Sequence, residues 1–238
     1  MDETQSTNRQ PACVIAGAGP RLGLAIAKRY AQAGFASFML LREPPRIAAQ
    51  AASMRACDLS IFPLQCDVSN EPALDHAIHI IKNQAESCDV FIYNAFSPSR
   101  KHLSLLNAHD IVSDFRVNVA AAVSFSQLAI REMRRRGGAI LFSGCGLAQS
   151  PSVEQTSLSI NKAALRVFVD CLAEETEPQG IRVGIVTIDG DVPNDAAALG
   201  CLAELYWKLF ECSEHNLTRE LRFKVDAGQE QFPIGPEK

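Results

Sequence analysis

A glycine-rich turn near the start of the chain is the first segment whose residues could do chemistry. It reads GAGPRLG over residues 17–23 and stands between a short apolar run and an amphipathic stretch. Glycines in such a turn let backbone amides approach a pyrophosphate, and the N-terminus of the following helix favours the negative charge. We therefore predict a dinucleotide site at Gly17, Gly19 and Gly23. A purely structural turn is the alternative.

The elements that must position this turn alternate along the whole chain. Short apolar runs predict seven strands, at residues 13–16, 36–41, 61–65, 90–93, 139–143, 182–188 and 218–225. Stretches of helical periodicity predict six helices, at residues 22–33, 46–56, 71–86, 110–135, 157–176 and 195–211. Runs such as CVIAG are apolar at consecutive positions, as in strands covered on both faces. The pattern predicts an α/β fold, a doubly wound parallel sheet with helices on both faces.

Composition narrows the class of protein. The 238 residues allow one large domain or two small ones, and the absence of a linker rich in Pro, Gly or Ser favours one domain over residues 1–238, with frayed tails at about 1–10 and 228–238. Lys and Arg number 23 against 27 Asp and Glu, a net charge of −4 that supplies no positive field for nucleic acid. The hydrophobic fraction of 47% is too high for a disordered chain.

Cysteine spacing and hydropathy indicate the compartment. The eight cysteines form no CxxC pair and no cluster with metal-ligand spacing, so we expect no metal site and a reducing environment. The most prominent uncharged run, residues 117–130, is too short to span a bilayer, and the N-terminus lacks the pattern of a signal peptide. We expect a soluble cytoplasmic protein without a membrane partner.

Several short segments resemble motifs of the short-chain dehydrogenase/reductase superfamily in order and spacing. Residues 16–23 resemble its TGxxxGxG turn, with Arg21 at the middle glycine. The later matches are CDV at 66–68, YNAF at 93–96, RVNV at 116–119, NKAAL at 161–165 and GIRV at 180–183. The segments ILFSG at 140–144, IDG at 188–190 and LYWKL at 205–209 resemble an atypical branch. The resemblance spans about residues 11–225 and implies a Rossmann-type fold.

The resemblance also implies a cofactor site. Its residues would be Gly17, Gly19, Arg21, Leu22, Gly23, Arg42, Asp67, Val68, Asn94, Ala95, Lys162 and Asp189. NAD users in the family tend to carry an acid at the end of the second strand, where this chain has Leu41 followed by Arg42. With Arg21 in the turn, this favours NADP(H) over NAD(H). Asp189 would accept a hydrogen bond from the nicotinamide amide or a substrate hydroxyl, or would only cap the next turn.

The catalytic residues carry over unevenly. Lys162 matches the family's lysine and Asn118 its asparagine, while the serine position falls at Cys145, with Ser143 two residues earlier. The family's proton donor is a tyrosine four residues before the lysine, and Leu158 stands there. None of the three tyrosines, Tyr30, Tyr93 and Tyr206, occupies that position.

Three explanations for the missing tyrosine remain open. Another acid, Cys145 or His102, could give the proton; water could give it; or the chain could bind dinucleotide without turnover, as a sensor or an inactive partner subunit. We expect an NAD(P)-dependent oxidoreductase acting on a small carbonyl or alcohol, with the non-catalytic binder as the alternative. The runs at 117–130 and 160–172 match helices that pair between subunits in the family, which implies a homodimer or homotetramer; simple burial against the sheet is the alternative.

Overall fold

Parallel strands form one sheet in the order β3-β2-β1-β4-β5-β6-β7 within residues 9–97, 101–134, 136–211 and 219–225, which this computed structural model describes. The strands are β1 (Ala12–Ala16), β2 (Ala36–Leu41), β3 (Ile61–Gln65), β4 (Cys88–Tyr93), β5 (Gly138–Cys145), β6 (Ile181–Asp189) and β7 (Glu220–Lys224). Every neighbouring pair is parallel, which confirms the predicted sheet.

The strand order reverses direction between β1 and β4. These two strands pair directly, and Ala16 at the end of β1 lies opposite Tyr93 at the end of β4. A crevice opens at such a reversal, at the carboxyl ends of the strands. The glycine turn and Asn94 therefore meet at this edge of the sheet.

Helices cover both faces of the sheet. They are α1 (Leu22–Gln32), α2 (Ala48–Arg55), α3 (Glu71–Gln84), α4 (Ala108–Phe115), α5 (Ala121–Met133), α6 (Thr156–Thr176) and α7 (Ala196–Glu211). One apolar core joins the sheet to α3, α5 and α6, and the other joins it to α1, α2 and α7. Consecutive residues of β1 belong to different cores, Val14 to the first and Ile15 to the second, which is why the strand is apolar throughout. No helix of the described ranges is long and apolar enough to cross a membrane.

The helical path predicted over residues 110–135 continues as far as Met133, but it is not uniform. Helix α4 ends at Phe115, a π-helical turn occupies Arg116–Ala120, and α5 follows. Apolar periodicity continues across this turn, so the sequence pattern gives no sign of the π-helical segment. The Tyr93 hydroxyl, which comes from outside the helix, donates to the Val117 carbonyl at 2.5 Å. A π-helical turn can offer a backbone carbonyl to such a partner.

Smaller differences concern the ends of elements. Helix α4 begins at Ala108 because Asn107 and Asp110 form a capping box. A 3₁₀ turn at Pro44–Ile47 precedes α2, which shortens the helix predicted from residue 46. Arg135, Thr218, residues 1–8 of the tail predicted at 1–10 and the whole tail predicted at 228–238 lie outside the described residues.

Gly17 holds the glycine turn against the segment that follows β4. Its φ is +74°, and a Cβ atom there would lie 2.2 Å from the Cα of Ala95. Both the left-handed backbone and the close approach require glycine. Gly17 therefore sets the distance between two segments of the site.

Substitution of Gly17 should destabilise the fold. We expect Gly17→Ala to lower the free energy of unfolding by about 2 to 4 kcal/mol, because backbone strain adds to an overlap with Ala95. Denaturant unfolding measures this. Gly200→Ala is the matched control: its Cβ would meet nothing within 4 Å, so a helical alanine there should be neutral or stabilising. Equal stability of Gly17→Ala and wild type would contradict the expectation.

Candidate functional site

A buried hydrogen-bond network at the carboxyl edge of the sheet is centred on Ser143, near the end of β5. The Ser143 hydroxyl donates to Asn94 Oδ1 at 2.7 Å, and Asn94 Nδ2 donates to the Gly17 carbonyl at 2.9 Å. The Tyr206 hydroxyl lies 2.7 Å from Ser143 Oγ, and Lys162 Nζ donates to the Ser143 carbonyl at 2.8 Å. The network joins four predicted site residues, Gly17, Asn94, Ser143 and Lys162, with Tyr206.

All three tyrosine hydroxyls are engaged in the core. Because the one proton of Ser143 goes to Asn94, Tyr206 must donate to Ser143. Tyr30 donates to the Tyr206 carbonyl at 3.0 Å, and Tyr93 donates to Val117. Burial raises the pKa of all three hydroxyls above the usual tyrosine range. None of them stands ready to give a proton to a substrate.

Lys162 lies on α6 with its ammonium buried. Removal from water lowers the pKa of Lys162 to about 8, and the nearby Cys145 opposes this shift. The Phe96 ring lies over the amine, with Nζ 6.0 Å from the ring centroid. Leu158, one helical turn before Lys162, is 7% exposed. The amine thus lies in an apolar environment near the edge of the sheet.

Asn118 lies in the π-helical turn and holds the chain just after β4. Its Oδ1 accepts from the Ser97 amide at 2.8 Å, and its Nδ2 donates to the Ser97 carbonyl at 3.4 Å. Ser97 Oγ donates to Asp114, which also accepts from Ser157. The catalytic role expected of Asn118 stays a prediction, and both polar atoms of its side chain are bonded to Ser97.

The glycine turn leaves room for a phosphate. A Cβ atom on Gly19 would meet nothing within 4 Å, whereas Gly23 packs against Ala18, whose Cα would lie 2.5 Å from a Cβ there. Residue 21 is the N-cap of α1, and its side chain makes no capping hydrogen bond. An open space before an uncapped helix N-terminus, at Leu22 and Gly23, fits the phosphate of a dinucleotide.

Arg21 reaches across to the loop after β6. Its Nη1 donates to the Val192 carbonyl at 3.0 Å and to Asn194 Oδ1 at 3.3 Å. The predicted phosphate ligand is therefore engaged with a loop that borders the same crevice.

The ends of β2 and β3 bring Arg42 near Asp67. The Asp67 carboxylate accepts from the amide and the hydroxyl of Ser69, which lower its pKa, and Arg42 lowers it further. Arg42 is exposed, while Val68 is buried and Ala95 is nearly so. These four predicted residues stand just after the carboxyl ends of β2, β3 and β4.

Asp189 and Cys145 end the neighbouring strands β6 and β5. A Cβ atom on Gly146 would lie 2.0 Å from Asp189 Oδ1, so the carboxylate covers that glycine. The other oxygen, Asp189 Oδ2, lies 3.6 Å from Arg222 Nη1. Cys145 is half-buried, and its thiol is free. His102, the other candidate acid, is exposed at the start of a 3₁₀ turn.

Sequence reasoning missed Asp114, Ser97 and the role of Tyr206. Asp114 precedes Asn118 by four residues, so helical spacing could have indicated that both face one direction. The contacts of Ser97 and Tyr206 join segments far apart in sequence and left no local signal. No cluster of three or more metal-ligating side chains occurs in the part of the chain that the structure describes.

The buried amine of Lys162 should make stability depend on pH. Between about pH 8 and its usual 10.5, the unfolded chain keeps the lysine proton that the folded chain has lost, so stability rises with pH. Relative to Lys162→Met, wild type should gain roughly 3 kcal/mol across this window.

Unfolding of both proteins at a series of pH values tests this. Cys66 and Cys88, whose pKa values burial raises to about 11 and about 12, contribute equally to both proteins and cancel in the difference. A stability difference that stays constant from pH 8 to 10 would contradict the expectation.

Known proteins are similar to this chain over most of its length. Carbonyl reductase family member 4 of Danio rerio is 29% identical over 174 residues, covering 73% of this chain and 72% of that protein. The 7alpha-hydroxysteroid dehydrogenase of Escherichia coli is 26% identical over 204 residues, covering 83% and 77%.

Solved structures share the fold. A short-chain dehydrogenase from Rhodopseudomonas palustris superposes with a TM-score of 0.81 at 22% identity, covering 90% of this chain and 99% of that one. A metagenomic short-chain oxidoreductase in complex with NADP gives a TM-score of 0.81 at 19% identity, covering 93% and 100%. Residues 11–190 match the family described as short chain dehydrogenase. The chain thus belongs to the short-chain dehydrogenase family.

Proposed function

We propose that this chain is an oxidoreductase that uses NADP(H) and acts on a small carbonyl or alcohol, with a catalytic set that lacks the usual tyrosine. The observation that carries the proposal is the buried Lys162 ammonium, fixed on the Ser143 carbonyl at the same edge of the sheet as the glycine turn. A buried lysine needs a compensating role, since an apolar residue would cost less to bury.

The residues suited to hold the cofactor follow the crevice. The open space at Gly19 and the α1 N-terminus suit the pyrophosphate, while Asp67, Val68 and Ala95 suit the adenosine half. Lys162 would donate to the nicotinamide ribose, and Asp189 would accept from the nicotinamide amide or a substrate hydroxyl. A bound nicotinamide supplies the hydride; the protein's residues orient the reactants and handle the proton.

Charge favours NADP(H) over NAD(H). Arg42 follows β2, where an acid would otherwise receive the ribose hydroxyls, and its side chain is exposed to accept a phosphate. Arg21 is a weaker candidate, because its contacts with Val192 and Asn194 would have to open first.

The missing acid is the unusual part of the proposal. Leu158 has no exchangeable proton, and the tyrosine hydroxyls are bonded elsewhere. Cys145 is the better protein-derived donor, because it ends β5 close enough to Lys162 to affect its pKa, while His102 is exposed. The same absence favours the second candidate function, a dinucleotide binder without turnover.

We also propose a homodimer or homotetramer. Apolar side chains stay exposed on two helices, Val112 and Phe115 on α4 and Ile160 and Val167 on α6. Exposed apolar surface on these helices favours association with other copies of the same chain. A cytoplasmic location and the absence of a nucleic-acid partner remain predictions.

Restoring the tyrosine tests the proposal. With NADPH and a panel of small aldehydes and ketones, Leu158→Tyr should raise kcat by about 10² or more, the usual contribution of a general acid. Leu158→Phe adds the ring without the hydroxyl and should give no such gain. Lys162→Ala should abolish the turnover that the wild-type chain shows.

Measurements of turnover and of NADPH binding distinguish the two candidate functions. Wild-type turnover lost in Lys162→Ala supports the enzyme. NADPH binding with no turnover by wild type or by Leu158→Tyr would overturn the oxidoreductase and leave the binder.

A further inference from the structure

A hydrogen-bonded cluster holds the chain that leaves β4, and apart from Asn118 its residues have no part in the proposed reaction. We name it the Ser97 clamp, formed by Ser97, Asp114, Asn118 and Ser157. The Ser97 amide, carbonyl and hydroxyl are all hydrogen-bonded, the first two to Asn118 and the third to Asp114 at 2.7 Å. A loop residue with every polar group engaged is held in one position.

Asp114 connects three segments of the chain. This residue of α4 is 6% exposed, and its carboxylate accepts from Ser97 Oγ on one oxygen and from Ser157 Oγ on the other, the second at 2.6 Å. Ser157 lies in the first turn of α6, the helix that carries Lys162. Hydrogen bonds to a carboxylate are short and strong. A buried carboxylate that loses its donors is left as a costly unpaired charge.

The Ser97 clamp lies next to the aromatic ring that covers Lys162. Phe96 directly precedes Ser97, and its ring lies over the Lys162 amine with Nζ 6.0 Å from the ring centroid. The ring is 51% exposed, so its outer face is open while its inner face covers the lysine. One carboxylate therefore fixes both the residue next to the ring and the helix that carries the amine.

We propose that Asp114 is a positioning residue that holds Phe96 over Lys162 and thereby limits the access of water to the amine. Its importance for catalysis rests on the proposed function, in which Lys162 binds the cofactor. The positional claim itself needs no cofactor.

Acylation of Lys162 tests the claim. Sulfosuccinimidyl acetate at pH 8 acetylates accessible amines, and mass spectrometry of the Lys162 peptide gives the rate, with the exposed Lys82 as internal reference. Loss of the charged hydrogen bonds in Asp114→Ala should raise the Lys162 rate about tenfold and leave Lys82 unchanged. Burial and the neighbouring Cys145 act on the pKa of Lys162, and Cys145 stays the same in every variant.

A conservative variant should restore the slow rate. In Asp114→Asn the new amide can accept from Ser97 and donate to Ser157. The Ser157 hydroxyl is then free to donate to Asn161 once that amide turns over, because Asn161 Nδ2 now lies 3.4 Å from Ser157 Oγ and its buried Oδ1 has no partner among the described residues. The clamp keeps its geometry, so Lys162 should react within about twofold of wild type.

A matched control separates the clamp from general loosening. Ser126→Ala removes another buried hydroxyl, which donates to the Ala122 carbonyl within α5, and should leave the Lys162 rate unchanged. If Asp114→Ala does not fold, Ser97→Ala and Ser157→Ala remove one arm each and should each accelerate the reaction.

Two results would overturn the proposal. One is a wild-type Lys162 rate in folded Asp114→Ala or in both single-arm variants. The other is an equal acceleration in Ser126→Ala. Because NADPH is absent from the experiment, failure of the proposed function would not alter its outcome.

Discussion

The Ser143 hydroxyl has one proton, and its destination fixes the hydrogen bonds around it. Asn94 donates to Gly17, so its oxygen must accept from Ser143, and Tyr206 must then donate to Ser143. The Ser143 carbonyl receives Lys162. One residue of β5 thus joins β1, β4, α6 and α7 in a place where an unpaired polar group would be costly. The crevice at the edge of the sheet keeps its shape because this network is satisfied.

The network bears directly on the proposed function, in which the usual tyrosine is absent. The network holds Lys162 and the Tyr206 hydroxyl, the Tyr30 and Tyr93 hydroxyls are bonded elsewhere in the core, and Leu158 stands one turn before the lysine. The Ser97 clamp adds a second constraint, because it holds an aromatic ring over the amine that the network positions. In the proposed function, Lys162 holds the cofactor, whereas the proton comes from Cys145, His102 or water.

Sequence reasoning went furthest where local pattern and burial coincide. The glycine turn and the alternation of strands and helices follow from spacing, because a two-faced sheet requires apolar strands and a tight turn requires glycine, whereas Lys162 is found through the resemblance of residues 161–165 to the family. The π-helical turn at Asn118 could not be predicted, since apolar periodicity continues through it. The Asp114 carboxylate and the Tyr206 hydroxyl find partners 17 to 63 residues away, and only the folded chain brings these together.

Titration with NADPH tests most directly whether this edge of the sheet is a dinucleotide site. Wild type should bind NADPH saturably, at one site per chain, and more tightly than NADH. Gly19→Ala should stay folded, because its methyl group meets no atom within 4 Å, yet bind at least about tenfold more weakly, because it fills the phosphate space. Absence of binding to either cofactor, or equal affinity of wild type and Gly19→Ala, would contradict the account.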